Sequence, residues 1–93
     1  MAENVRAHVV ITGRVQGVAF RADTRWAAQR IGVFGWVRNR RDGSVEAVIE
    51  GEKPRVEEML TWCRKGSALS RVEDVTLDWE SYTGEFTEFA ITF

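Results

Sequence analysis

Cysteine and proline are nearly missing from this chain of 93 residues: Cys63 and Pro54 are the single examples of each. A lone thiol cannot make an internal disulfide, so nothing in the fold depends on an oxidising compartment. No apolar run approaches the roughly 18 residues that a membrane span needs, and no basic segment precedes an apolar one as in a secretion signal. The expected address is the cytoplasm, with no membrane partner. Charge of one sign is also lacking, since 13 basic residues face 14 acidic ones for a net charge of −1. The chain therefore has no broad positive field, and no nucleic-acid partner is expected. A Ser/His/Asp set, a metal-ligating cluster and paired carboxylates beside a glycine loop are all missing, so neither a metal nor another cofactor is expected. What is present is apolar: 44% of residues are hydrophobic, with four Trp and five Phe, and there is no low-complexity stretch. This composition belongs to a packed globule, and the length has room for one core, so 1–93 reads as a single domain and a monomer.

Residues 5–12 alternate, with Ala7, Val9 and Ile11 on one face, and predict a half-buried strand. A helix follows over 21–31, with Phe20, Ala27, Ala28 and Ile31 as its inner stripe, Asp23 in the first turn and Gly32 as its cap. Segments 35–39 and 44–50 flank Asp42-Gly43 and read as a hairpin. A three-residue loop of Arg41, Asp42 and Gly43 sets Val37 beside Ala47 and Asn39 beside Val45, with Gly43 in a left-handed bulge. Pro54 suits a first helical turn, and Val56, Met59, Leu60 and Cys63 follow at helical spacing up to Gly66. Val75, Leu77 and Trp79 alternate in one late run, and Phe89, Ile91 and Phe93 in the last. The order strand, helix, strand, strand, helix, strand, with a further strand, predicts a ferredoxin-like α/β sandwich of the α+β class (βαββαβ): a mostly antiparallel sheet of four to five strands with two helices on one face.

In that topology the first two long strands run parallel with another between them, so their C-terminal ends share one sheet edge with the start of the first helix. The segment GRVQGVAFR (13–21) should therefore meet Asn39, at the end of WVRN (36–39). A strand that enters a glycine-bearing loop and then a helix offers backbone N–H groups with no partner inside the chain, and such groups bind an anion. Gly13 and Gly17 allow positive φ and close approach of the backbone to a phosphate. Arg21 adds a permanent planar charge able to grip two phosphate oxygens. Arg14, Arg38, Arg40 and Arg41 raise the local positive potential.

GRVQGVAFR, followed by GWVRN (35–39) and DGSVE (42–46), resembles the acylphosphatases at both of that family's signature segments, and the resemblance spans essentially the whole chain. It implies hydrolysis of a small-molecule acyl phosphate to carboxylate and inorganic phosphate, by a water that attacks directly. It further implies that Arg14, Val15, Gln16, Gly17, Val18, Ala19 and Phe20 form the phosphate-binding loop. Arg21 would contact the phosphate, and Asn39 would hold the attacking water, so Arg21 and Asn39 are the expected catalytic residues. Ala19 stands where the family varies, and GSALSR (66–71) is less typical of it, which leaves substrate preference open. Two other functions compete. A base-stacking nucleic-acid module fits poorly, because SVEAVIE (44–50) lacks paired aromatics and its Glu46 and Glu50 repel phosphate. A regulatory domain that keeps the fold without turnover is disfavoured by the intact Arg21 and Asn39. His8 and Cys63 read as a surface residue and a packed core residue respectively.

Overall fold

The computed structural model describes residues 3–93. Its elements are β1 (Asn4–Arg14), α1 (Phe20–Ile31), β2 (Phe34–Asn39), β3 (Val45–Glu52), α2 (Lys53–Lys65), β4 (Arg71–Glu80) and β5 (Phe89–Ile91). The five strands form one sheet in the order β4-β1-β3-β2-β5. β1 is antiparallel to both β3 and β4, β2 is antiparallel to β3, and β5 joins β2 in parallel. Since β1 and β2 both oppose β3, they run parallel to each other and end on the same edge. The α+β sandwich is thus the one read from the pattern of the sequence.

Alternation decides which side of the sheet is covered. Ala7, Val9 and Ile11 of β1, with Val37, Val45, Ala47 and Ile49 of β2 and β3, are fully buried. They pack against Phe20, Ala27, Ala28 and Ile31 of α1 and Val56, Met59, Leu60 and Cys63 of α2 in one core. Thr24 is the polar member of the α1 stripe, and its hydroxyl donates to the Phe20 carbonyl at 2.7 Å, which is how a buried hydroxyl in a helix is satisfied. α1 ends where Gly32, at φ 91°, turns its amide back to the Ala28 carbonyl at 2.8 Å. α2 starts with Pro54 in its first turn, where no amide is needed. The β2–β3 hairpin has the expected register, Val37 opposite Ala47 and Asn39 opposite Val45. The Arg40 amide donates to Ser44 at 2.8 Å across a loop of Arg41, Asp42 and Gly43, with Gly43 at φ 92°.

The structure departs from the sequence pattern in three places. Trp79 and Phe93 continue apolar alternations yet are exposed, because β4 runs along the edge of the sheet and Phe93 lies two residues past the end of β5 at Ile91. Gly13 sits at a register shift between β1 and β4, and a Cβ there would collide with the Arg71 carbonyl oxygen. Close strand approach at a bulge is what requires this glycine, while Gly17, at φ 74°, is the one that shapes the loop. Finally, Glu50 is 2% exposed. β4 and β5 occupy opposite edges, so residues 81–88 must cross the helix-free face between them. Glu50 pins that crossing by accepting from the Thr83 amide and hydroxyl, both at 2.9 Å, and from the Gly84 amide at 3.1 Å. Arg6 completes the clasp, reaching Glu50 at 3.1 Å, Glu80 at 2.9 Å and Glu85 at 3.1 Å. On the same face Glu46 accepts from His8 Nε2 at 2.6 Å and from Arg38 Nε at 2.7 Å.

Candidate active site

β1 delivers the chain to the shared edge, and two apolar anchors hold the loop that follows. Val15 is 1% exposed and Phe20 is 1% exposed, so both ends of the loop are tied into the core. Phe20 packs against Trp62 of α2 with ring centroids 5.6 Å apart, and burying such a ring contributes about 2–3 kcal/mol to fixing the start of α1. Gln16 adds a polar tie to the hairpin, its Nε2 donating to the Arg40 carbonyl at 2.7 Å and the Ser44 carbonyl at 2.8 Å. The loop is thereby bound to the end of β2, which carries Asn39. Ser44 is in turn held by Asp42, which accepts from its amide at 2.9 Å.

With its side chains so anchored, the loop presents its backbone. Ala19 adopts the left-handed conformation at φ 60°, ψ 22°, and supplies no side-chain cap to α1. The first backbone bond of the helix runs from the Asp23 amide to the Ala19 carbonyl at 3.0 Å. The Val15 amide donates to the Gly13 carbonyl at 3.1 Å, but among the described residues no amide from 16 to 22 has a protein acceptor. These consecutive N–H groups, together with the positive end of the α1 dipole, are a concave donor surface for an anion.

A cavity of about 280 Å³ borders part of this run, lined by Val15, Gly17, Ala19, Phe20, Arg21, Ala22, Asn39, Ile91 and Phe93. The structure therefore brings Arg21 and Asn39 together on one cavity with the loop. Arg14, Gln16 and Val18 do not line it: Arg14 pairs with Arg71 at the end of the β1–β4 ladder, Gln16 faces the hairpin, and Val18 is packed in the core. Ile91 and Phe93 were not read from the sequence as site residues. The signal for them was the β5 alternation, once its parallel pairing with β2 placed it beside Asn39.

Two polar groups in the cavity are left for a ligand. Among the described residues none of the ion pairs includes Arg21, whose guanidinium carbon lies 5.3 Å from the centre of the Phe93 ring. Asn39 Oδ1 is buried and has no hydrogen-bond partner in the protein. A buried acceptor left unsatisfied costs about 1–3 kcal/mol, so this oxygen is open to a donor from solvent or from a ligand. A second cavity of about 300 Å³ adjoins the first, lined by Arg38, Asn39, Arg40, Arg41 and Phe93. Its charge is only partly offset, Arg38 by Glu46 at 2.6 Å and Arg40 by Asp42 at 3.9 Å. Larger clefts lie beside Trp26 and beside Trp79, but neither borders the free amides. Cys63, buried in the core, has its thiol pushed up to about 12 by that burial and takes no part.

A ferredoxin-like sandwich that gathers free amides, an arginine outside the ion pairs of the described residues and an unsatisfied carboxamide at one sheet edge has the chemistry to hold a phosphate. A family model described as acylphosphatase matches residues 7–91. The chain is 58% identical over 88 residues to an acylphosphatase of Syntrophobacter fumaroxidans, covering 95% of this chain and 91% of that one. With an acylphosphatase of Pelotomaculum thermopropionicum it shares 51% identity over 88 residues, covering 95% and 96%. The crystal structure of acylphosphatase from Bacillus subtilis superposes with a TM-score of 0.92 at 30% identity, covering 96% of this chain and 99% of that one. The chain belongs to the acylphosphatase family and is an enzyme of that class.

Proposed function

We propose that the chain, acting as one domain over 1–93 and as a cytoplasmic monomer, hydrolyses acyl phosphates to a carboxylate and inorganic phosphate in the cavity between the 14–20 loop and Asn39. The observation that carries this reading is the run of unpartnered amides from 16 to 22, of whose residues Gly17, Ala19, Phe20, Arg21 and Ala22 line the cavity shared with Asn39. The amides and Arg21 hold the phosphoryl oxygens and neutralise the charge on them in a loose transition state. Each well-aimed donor is worth about 3–4 kcal/mol there.

The substrate explains why so little machinery suffices. An acyl phosphate is a mixed anhydride, and its leaving group is a carboxylate whose conjugate acid has a pKa of about 4–5, by analogy with side-chain carboxyls, so it departs without a general acid. Water attacks phosphorus, the bond from phosphorus to the acyl oxygen breaks, and its electron pair leaves with the carboxylate. Asn39 is no base, because a carboxamide does not take up a proton near neutral pH. Its buried Oδ1 accepts a hydrogen bond from the water and orients it for attack. The proton of the water passes to a phosphate oxygen or to solvent, and neither a metal nor a phosphoenzyme takes part. Benzoyl phosphate hydrolysis, followed by absorbance, tests this reading. Turnover is expected to be unchanged by chelator, and Arg21→Ala is expected to lose both turnover and binding of inorganic phosphate. Full activity in Arg21→Ala, or a trapped phosphoenzyme, would reject the assignment.

A further inference from the structure

Among the described residues Arg21 is the one charged residue that lines the cavity and it makes no ion pair there, so its long side chain loses rotamer entropy each time it grips a phosphate. Something else must restrict it. The ring of Phe93 lies against the guanidinium, its centre 5.3 Å from Cζ. The backbone sets the position of that ring. Beyond β5, the Thr92 amide still donates to the Val37 carbonyl at 2.8 Å, so the chain stays locked to β2 for one residue past the strand. Phe93 then falls on the same side of the chain as Phe89 and Ile91, the side that faces α1, and with Asn39 it lines both cavities. Phe93 is 99% exposed, so hydrophobic burial does not account for its position.

We infer that Phe93 is a positioning residue for Arg21: its ring carries the guanidinium by a cation–π contact and leaves the planar edge of N–H donors turned to the phosphate. The contact suits the task. A carboxylate partner would occupy the donor edge and oppose an incoming anion, whereas an aromatic face attracts the cation and leaves all five N–H groups available. The inference rests on the reading of Arg21 as a phosphate ligand, and it assigns the ring a role in the free enzyme and the complex alike.

The test compares the parent with Phe93→Leu, Phe93→Trp, Arg21→Ala and the double variant Phe93→Leu/Arg21→Ala. It reads the inhibition constant of inorganic phosphate and the KM and kcat for benzoyl phosphate and acetyl phosphate. Leucine keeps an apolar side chain but has no ring. Phe93→Leu is expected to weaken phosphate inhibition about threefold to fivefold and to raise the KM of both substrates in parallel, as the loss of an exposed cation–π contact predicts. Phe93→Trp is expected to stay within about twofold of the parent, since indole is the stronger cation–π partner. In the Arg21→Ala background Phe93→Leu should change nothing further. An unaltered phosphate constant in Phe93→Leu overturns the inference, as does a loss confined to benzoyl phosphate, which would assign the ring to the acyl group. A tryptophan variant as weak as the leucine variant overturns it too. If Arg21→Ala itself binds phosphate normally, the reading of the site fails instead, and the two failures are told apart.

Discussion

Replacing Glu50 by alanine is expected to cost far more stability than a charged residue on an alternating strand ordinarily commands. Its carboxylate, 2% exposed, accepts four hydrogen bonds, from the Thr83 amide and hydroxyl, the Gly84 amide and Arg6. Breaking a buried charged pair costs about 3–5 kcal/mol. Here the lower end applies, because Arg6 keeps Glu80 and Glu85, and Thr83 and Gly84 are exposed enough to rehydrate. The working figure is about 3 kcal/mol, which in a domain of this size lowers Tm by about 15 °C. Acid should reveal the same group. Burial pushes the Glu50 carboxyl up, but the hydrogen bonds from Thr83, Arg6 and Gly84 together outweigh it and hold the carboxyl below its ordinary value. A carboxyl depressed in the folded state stabilises fully above its unfolded pKa, about 4.3, and loses that contribution as pH falls through the folded value. The stability gap between the parent and Glu50→Gln should therefore narrow as pH falls below about 4.3. Urea unfolding followed by circular dichroism, at several pH values, measures both effects. A loss under about 1 kcal/mol in Glu50→Ala, or a gap independent of pH, would refute the clasp.

Gly13→Ala should destabilise by about 3 kcal/mol or more, since φ is +120° and the new Cβ meets the backbone of Arg71. Gly17→Ala, at φ +74° with open space around the added Cβ, should cost only about 1–2 kcal/mol, so equal losses in chemical denaturation would contradict the separate origins given to the two glycines. Cys63, fully buried with its thiol pushed up to about 12, should react with a thiol reagent only as fast as the chain unfolds. Rapid labelling of the native protein would show that the core of α2 is open.

Local rules made much of this molecule legible in the sequence. The period of two in β1, the stripes of α1 and α2 and the turn glycines suffice to place the layers, and loop length fixed the register that aims Asn39 at α1. What remained hidden was set by topology over long range. Glu50 reads as a surface residue on an alternating strand, and only the crossing of 81–88 between opposite sheet edges buries it. Phe93 reads as one more inward residue of its strand, yet it stands beyond the end of β5 and meets Arg21 instead of the core. Gly13 opens the 13–21 motif, but the strand that demands its missing Cβ is β4, nearly sixty residues later. Side-chain anchoring of the loop was equally silent, because the Gln16 ties to Arg40 and Ser44 depend on the hairpin's own turn.

The claim that binding belongs to the loop and Arg21, while hydrolysis also needs Asn39, is tested most directly in Asn39→Ala. Phosphate affinity, measured by titration calorimetry, should stay within about threefold of the parent, since the amides from 16 to 22 and Arg21 are untouched. Turnover of benzoyl phosphate should fall by about a hundredfold or more, the scale on which orienting a nucleophile acts. Parental turnover in that variant, or joint loss of affinity and turnover, would contradict the division of labour.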